Sequence, residues 1–559
     1  MPRLLNLSLA LIVAIHPFAA SAAAETAPVV AMAPLAAQID AAIAQYYKPN
    51  EPGATVLVVK NGKTVYRKAF GLADVSRGIA LTPDMQLRLG SVTKQFTSTA
   101  ILMLADEGKL RLDDDITRFL PDYPTRGKRI TVEHLLNHTS GIVSYTSKPT
   151  FVQHIAEDMQ VATLINTFKD DPLEFEPGAK FKYNNSGYLL LGAIIENVSG
   201  QSYATFMEQR IFIPLGMNDT AYEGRERGKA TKAAGHTLGE KGFEPSMKIS
   251  MSQPYAAGAL VSTLDDLAKW DKAVSEGALL KPASWARAMA KTTLTDGSKI
   301  DYGYGWEMGA VRGVSFIGHG GGINGFATYV MRLPEQKLYV AVLRNSDRGV
   351  IGSENIARRA AAAAIGKPFQ NYQAVALDAK ALDAFSGTYK VDDNATRVVR
   401  REGDKLSMVR TGRPAVLLSA FSESAFFLPG ELEHFAFSRD AQGKVSTLTR
   451  VGDGETQVST RTGDAPAARA VVAMAPAVFD SYAGRYQMAP EFVMELKRDG
   501  ERFYLTASRQ PTLEIFAASP SVFFSPKVDA ELRIETDAAT GQPTLILDQN
   551  GRVMRGRKL

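Results

Sequence analysis

A serine and a lysine one helical turn apart, in Ser91-Val92-Thr93-Lys94, are the residues of this sequence best spaced to do chemistry together. At the start of a helix that spacing puts both side chains on one face, within reach of each other. A buried ammonium is disfavoured by desolvation, so a lysine held there titrates low enough to act as a base toward the serine hydroxyl. The helix N-terminus also offers the N–H of Ser91 itself to a developing oxyanion. Taken alone, the motif is weak and reads more readily as an N-cap serine followed by a solvated lysine.

Two further stretches carry suitable groups. Tyr183-Asn184-Asn185 holds a phenol that, near a cation, loses its proton easily and can relay it between Ser91 and a leaving group, while the Asn185 amide can hold a substrate carbonyl. Alone, it is an Asn-rich helix cap. His319-Gly320-Gly321-Gly322 forms a glycine-rich strand edge that a substrate backbone can approach closely, with the N–H of Gly322 as a second oxyanion donor. Alone, it is a loose loop with a structural histidine. Order and spacing along the chain give the three stretches their joint meaning.

The elements that must position them can be read from periodicity. A helix is predicted from Ala36 to about Tyr47, then two strand-like runs, Ala54 to Lys60 and Lys63 to Phe70, joined by Asn61-Gly62, a strong hairpin signal. Ser91 opens a largely buried helix through Ala105, stopped by Gly108, and a second apolar helix spans Gly187 to Val198, stopped by Gly200. Strand-like runs return within Ile317 to Leu333 and Leu338 to Asn345. Strands at both ends with helices between predict an α+β domain over residues 35–368 whose sheet pairs its first and last strands.

After Lys367 the chain changes to short alternating strands punctuated by Gly, Asp-Gly and Pro, and it repeats itself. Leu382-Asp383-Ala384-Phe385-Ser386-Gly387-Thr388-Tyr389 matches Phe479-Asp480-Ser481-Tyr482-Ala483-Gly484-Arg485-Tyr486, and Tyr389 to Tyr486 is an offset of 486 − 389 = 97. Gly403-Asp404-Lys405-Leu406 against Gly500-Glu501-Arg502-Phe503, and Phe426-Phe427-Leu428-Pro429 against Phe523-Phe524-Ser525-Pro526, keep the same offset. One register held over three blocks predicts two duplicated β-barrel domains, 376–462 and 477–559, with an Ala- and Pro-rich linker at 463–476. The simpler alternative is one continuous β-sandwich.

The chain is 559 residues long, with 45% hydrophobic and 22% charged residues, as in soluble globular proteins. Met1-Pro2-Arg3, the apolar run Leu4 to Ala20 and the small residues Ser21 to Ala24 read as a secretory signal peptide over 1–24, which implies a periplasmic or secreted protein. With no cysteine, disulfides, thiolate catalysis and cysteine metal ligation are excluded. A net charge of +5, spread over 64 basic and 59 acidic residues without a clustered run, gives no sign of a nucleic-acid partner, and no later stretch is long and apolar enough for a membrane span. His134 and His138 stand at i, i+4 but lack the internal acid and third ligand of a zinc site, so no metal and no cofactor is expected.

From Ile39 to Ala364 the chain resembles the penicillin-recognising serine hydrolases of the class C β-lactamase type. The three stretches occur in that family's order, His134-Leu135-Leu136-Asn137-His138-Thr139-Ser140-Gly141 is similar to its leucine-histidine-threonine-serine-glycine segment, and Tyr302-Gly303-Tyr304-Gly305-Trp306 to the strand before its third motif. The resemblance implies a catalytic set of Ser91, Lys94 and Tyr183, substrate contacts from Asn185, His319 and Gly321, and oxyanion donors at Ser91 and Gly322. It also implies acyl transfer through Ser91. Where typical β-lactamases carry lysine this chain carries His319, which binds a carboxylate less firmly. The His-x-Gly form and the two tail barrels resemble D-aminopeptidases, which implies a peptidase on D-amino-acid or peptidoglycan-type peptides. A carboxylesterase or weak β-lactamase of the same fold, or an inactive peptidoglycan-binding protein, are the alternatives.

Overall fold

The computed structural model describes residues 34–559 except 240, 468–469, 491, 509, 511, 526–527, 538–540 and 550–551, so the expected leader at 1–24 lies outside the described residues. A six-stranded antiparallel sheet organises the first part of the chain. Strands β1 (Ala54–Lys60) and β2 (Lys63–Phe70) are joined at Asn61-Gly62, whose φ values of 52° and 72° are the left-handed pair that a two-residue hairpin requires. Strands β3 (Glu307–Val311), β4 (Val314–Ile323), β5 (Phe326–Leu333) and β6 (Leu338–Arg344) complete it in the order β3-β4-β5-β6-β1-β2.

The first and last strands pair, with Ala54 opposite Arg344 and Val58 opposite Val340, as the sequence pattern implies. Both strands read as unbroken apolar runs because helices cover both faces of the sheet. Val56, Val58, Val340 and Val342 face helices α1 (Leu35–Ile43) and, near the end of this domain, Ser353–Ala364, whose run of buried alanines lets it lie close. Leu57, Ala341 and Leu343 face the larger core, which contains α2 (Thr93–Asp106) and α3 (Asn185–Ser199). Helix α3 is capped by the Asn184 side chain, which accepts from the N–H of Gly187, and ends at Gly200 in the left-handed region.

Two closed antiparallel barrels of eight strands each follow. The first closes by pairing Gly387–Asp392 with Thr456–Gly463, the second by pairing Gly484–Ala489 with Arg552–Lys558. The 97-residue offset extends to side-chain contacts. A short helix precedes each barrel, Ala379–Asp383 and Pro476–Tyr482, and buries Leu382 or Phe479 under it. Arg401 pairs with Asp383 in the first copy and Arg498 with Asp480 in the second.

The first barrel is docked on the sheet domain by an ion pair, hydrogen bonds and a close backbone approach. Asp453, nearly buried, accepts from the N–H of Arg312 at 3.0 Å and pairs with Arg358 at 3.2 Å. Gly430, at φ 85°, lies so close to Val350 that a Cβ there would stand 2.0 Å from its carbonyl oxygen. Gly430→Ala is therefore expected to destabilise the protein by about 1–3 kcal/mol, read as a fall in the urea midpoint, because it adds a steric clash and puts an L side chain on a backbone that only glycine holds without strain.

Candidate active site

Ser91 stands in one tight turn, Gly90–Val92, that runs directly into α2. Gly90 sits at φ 52°, and a Cβ added there would come within 3.0 Å of the Gly322 nitrogen. On the facing strand β4, a Cβ on Gly321 would meet the Leu89 carbonyl at 2.1 Å and Thr328 Oγ1 at 2.3 Å. The missing side chains let strand and nucleophile turn touch, and Thr328 Oγ1 fastens them by donating to the Leu89 carbonyl at 2.8 Å. Strand β3 stops pairing at Glu307 opposite Gly318, so beyond it that edge of β4 has no neighbouring strand among the described residues, and Gly322 and Ile323 line the cleft.

Lys94 has no exposed surface, and its Nζ lies 3.0 Å from Ser91 Oγ, 2.9 Å from Asn185 Oδ1 and 2.9 Å from the Ala257 carbonyl. Burial holds its pKa well below the ordinary value, opposed by a distant attraction from Glu307. A neutral amine has two hydrogens and one lone pair. Asn185 Oδ1 and the Ala257 carbonyl can only accept, so they take the hydrogens, and the lone pair faces the hydroxyl of Ser91. That is the arrangement of a base waiting for the serine proton. The amine also lies over the rings of Tyr183 and Tyr188, 4.8 and 5.3 Å from their centres.

Tyr183 differs from the sequence expectation of an easily ionised phenol. Burial raises its pKa above the ordinary value, and a hydrogen bond with the Ser91 side chain only partly offsets this. The residue is 37% exposed, so water tempers the shift without reversing it. With Lys94 uncharged, no neighbouring cation draws the proton off. Tyr183 thus stands beside Ser91 as an intact O–H donor. Asn185 is held at both ends of its amide, by Lys94 and by Thr146 Oγ1 at 3.0 Å.

His319 does not open onto the cleft: it is 1% exposed and both ring nitrogens are engaged. Its Nε2 partner is Tyr302, which in turn bonds His138, and the sequence assigned neither of these two a site role. The hydrogen bonds fix their protons. The N–H of Asn184 donates to His138 Nδ1 at 3.1 Å, so a neutral His138 carries its hydrogen on Nε2, 3.1 Å from the Tyr302 hydroxyl. The Gly320 carbonyl accepts from His319 Nδ1, so His319 Nε2 is an acceptor, 2.9 Å from the same hydroxyl. The chain therefore runs one way, from His138 through Tyr302 to His319. Burial pushes His319 down to about 3 and holds His138 well below its ordinary value, so both are neutral near pH 7.

His138 also sits at φ 61°, a conformation that is uncommon outside glycine and that persists only when surroundings impose it. Its ring packs 4.4 Å from that of Tyr183, and its hold on Asn184 sets the turn bearing Tyr183 and Asn185. The signal available in sequence was the His138-Thr139-Ser140-Gly141 segment itself. His134 is elsewhere, its Nδ1 accepting from the Thr131 N–H in a helix cap.

The cleft beside Ser91 has a volume of about 200 Å³ and is walled by Tyr145, Phe151, Ile249, Pro254 and Ile323, with Thr146, Asn185 and Asn324 as its polar side chains. No charged side chain lines it among the described residues. Tyr302→Phe removes the link between the two imidazoles and leaves His138 Nε2–H and His319 Nε2 buried without partners. The expected loss is about 1–3 kcal/mol of unfolding free energy in urea.

The geometry can be set beside known proteins. The family model described as Beta-lactamase matches residues 39–364. Penicillin-binding protein 4* of Bacillus subtilis (strain 168) is 28% identical over 432 residues, covering 73% of this chain and 95% of its own length. The octameric penicillin-binding protein homologue from Pyrococcus abyssi superposes with a TM-score of 0.56 at 27% identity, over 77% of this chain and 98% of that one. A D-stereospecific amidohydrolase from Streptomyces sp. does so with a TM-score of 0.50 at 27% identity, over 58% and 98%. Ser91, Lys94, Tyr183 and His319 all fall inside the matched span, and the chain belongs to the beta-lactamase family of serine hydrolases.

Proposed function

We propose that this chain is an exported hydrolase that cleaves amide or ester bonds through an acyl-enzyme on Ser91, acting on D-amino-acid or peptidoglycan-type peptides. The observation that carries the reading is the desolvated 3.0 Å contact between Lys94 Nζ and Ser91 Oγ. Lys94 takes the Ser91 proton as Oγ bonds to the substrate carbonyl carbon. The N–H groups of Ser91 and Gly322 receive the oxyanion. Tyr183, still protonated, gives its O–H proton to the leaving nitrogen or oxygen and is reprotonated from Lys94. Water then attacks the acyl group by the reverse relay, freeing a carboxylic acid and Ser91.

The D-amino-acid class is supported by the Streptomyces amidohydrolase and the penicillin-binding relatives. Export is supported by the leader-like N-terminus. A second reading, a carboxylesterase, is favoured by the uncharged cleft and the buried neutral His319, which offer a substrate carboxylate no cation. The same two features weigh against efficient β-lactam hydrolysis. A binding-only role leaves the aligned Lys94 and Tyr183 without a purpose.

Intact-mass spectrometry of the mature protein and of Ser91→Ala, after exposure to a fluorophosphonate and to a penicillin, tests the nucleophile. Release of p-nitroaniline from D-alanine p-nitroanilide, against hydrolysis of p-nitrophenyl acetate, tests the class. The expected result is one fluorophosphonate adduct on the wild type alone, with amide turnover exceeding that of the L-enantiomer. An adduct with ester turnover only would select the esterase reading, and no adduct on either protein would overturn the hydrolase.

A further inference from the structure

Because the two barrels are copies in one register, each shows what the other's fold requires. In the first barrel Arg397, Arg410 and Arg450 lie two residues along their strands from Val399, Met408 and Leu448, which are buried in the barrel core. Strand alternation therefore turns all three inward, at the end remote from the plugging helix Ala379–Asp383. Arg397 and Arg410 face each other directly across the ladder. Arg397 is 2% exposed and donates to Ser459 Oγ at 2.5 Å and Gln457 Oε1 at 2.6 Å; among the described residues it is bonded to no carboxylate, Glu433 attracting it without a hydrogen bond. Arg410 forms no ion pair, and its Nε is buried without a partner among the described residues. Arg450 alone is matched, by Glu433 at 2.5 Å and more loosely by the exposed Glu455 at 3.4 Å.

The counterparts 97 residues on are apolar. Met494, Ala507 and Leu547 replace the three arginines, Met554 and Gly556 replace Gln457 and Ser459, and Ala530 replaces Glu433. The pairing is conserved between the copies, with Met494 opposite Ala507 and Leu547 opposite Met554. The barrel thus closes well with hydrocarbon at these positions, and the first barrel instead gathers three arginines, one buried and two partly buried, around the single carboxylate of Glu433, an excess of positive charge that a further anion would offset. Burial, and then Arg410 and Arg450, depress Arg397 to about 10.

We propose that this end of the first barrel is an oxyanion site, in which Arg397 and Arg410 grip a carboxylate or phosphate group in their planar forks and Arg450 completes its positive rim. Leu406, Leu418, Phe426 and Phe437 fill the barrel below, so the site takes a compact anion or the head group of a larger molecule and does not swallow a chain. The proposal is independent of the chemistry at Ser91.

Calorimetric titration of the full mature chain with inorganic phosphate and with acetate tests it, beside Arg410→Ala and the double variant Arg397→Met/Arg410→Ala, which copy the second barrel. Wild type is expected to bind at least one anion saturably. Arg410→Ala should weaken that binding about tenfold or more, and the double variant should abolish it, with p-nitrophenyl acetate hydrolysis unchanged. Phosphate binding alone would assign phosphate esters, and acetate binding alone carboxylates. Binding of neither anion, or equal binding by wild type and variants, overturns the proposal. If the double variant fails to fold by circular dichroism, Arg410→Ala alone decides.

Discussion

The amine of Lys94 has been taken out of water with no carboxylate bonded to it among the described residues, and the arrangement of the cleft follows from that. An ammonium in such a place is costly, so the group resides there as an amine. Once it is neutral, its two hydrogens and one lone pair must be assigned, and only Ser91 among its three partners has a proton to give. Tyr183 keeps its own proton because burial disfavours the phenolate and the neutral amine beside it does not offset that. One desolvation thereby sets a neutral amine and an intact phenol beside the same hydroxyl.

The surrounding fold keeps that environment dry and in register. Glycines at 90 and 321 bring the nucleophile turn and strand β4 into backbone contact, where any Cβ would separate them. Behind them, His138, Tyr302 and His319 form a directional line of hydrogen bonds whose members are all uncharged, so no stray cation sits beside Lys94. His319 accordingly serves by position, anchoring β4 through Tyr302, and its imidazole has no free nitrogen to offer a substrate.

Much of this could be read from the sequence, for physical reasons that differ by element. The Asn61-Gly62 hairpin and the apolar β1 and β6 were legible because turn chemistry and two-sided burial leave marks within a few residues. The two barrels were legible because a duplication repeats every inward position at a fixed offset. Ser91 and Lys94 were legible as a pair because one helical turn joins them. The protonation of Tyr183, however, depends on burial set by residues far away in the chain. Tyr302 and His138 are 164 residues apart and meet only in the folded sheet domain. The arginines of the first barrel were visible as letters, but their inward direction needs the strand register, since a shift of one residue would turn them to solvent.

The ionisation of Lys94 is the most direct measure of this account. With lysine side chains labelled at Cε, the resonance assigned by its absence in Lys94→Met would be followed against pH by NMR. Because folding depresses this pKa, the amine must lose its proton as pH rises through a value well below the ordinary 10.5 and be neutral where the enzyme works. A Lys94 signal that titrates with the other lysines near 10.5 would show a charged group beside Ser91 and contradict the account.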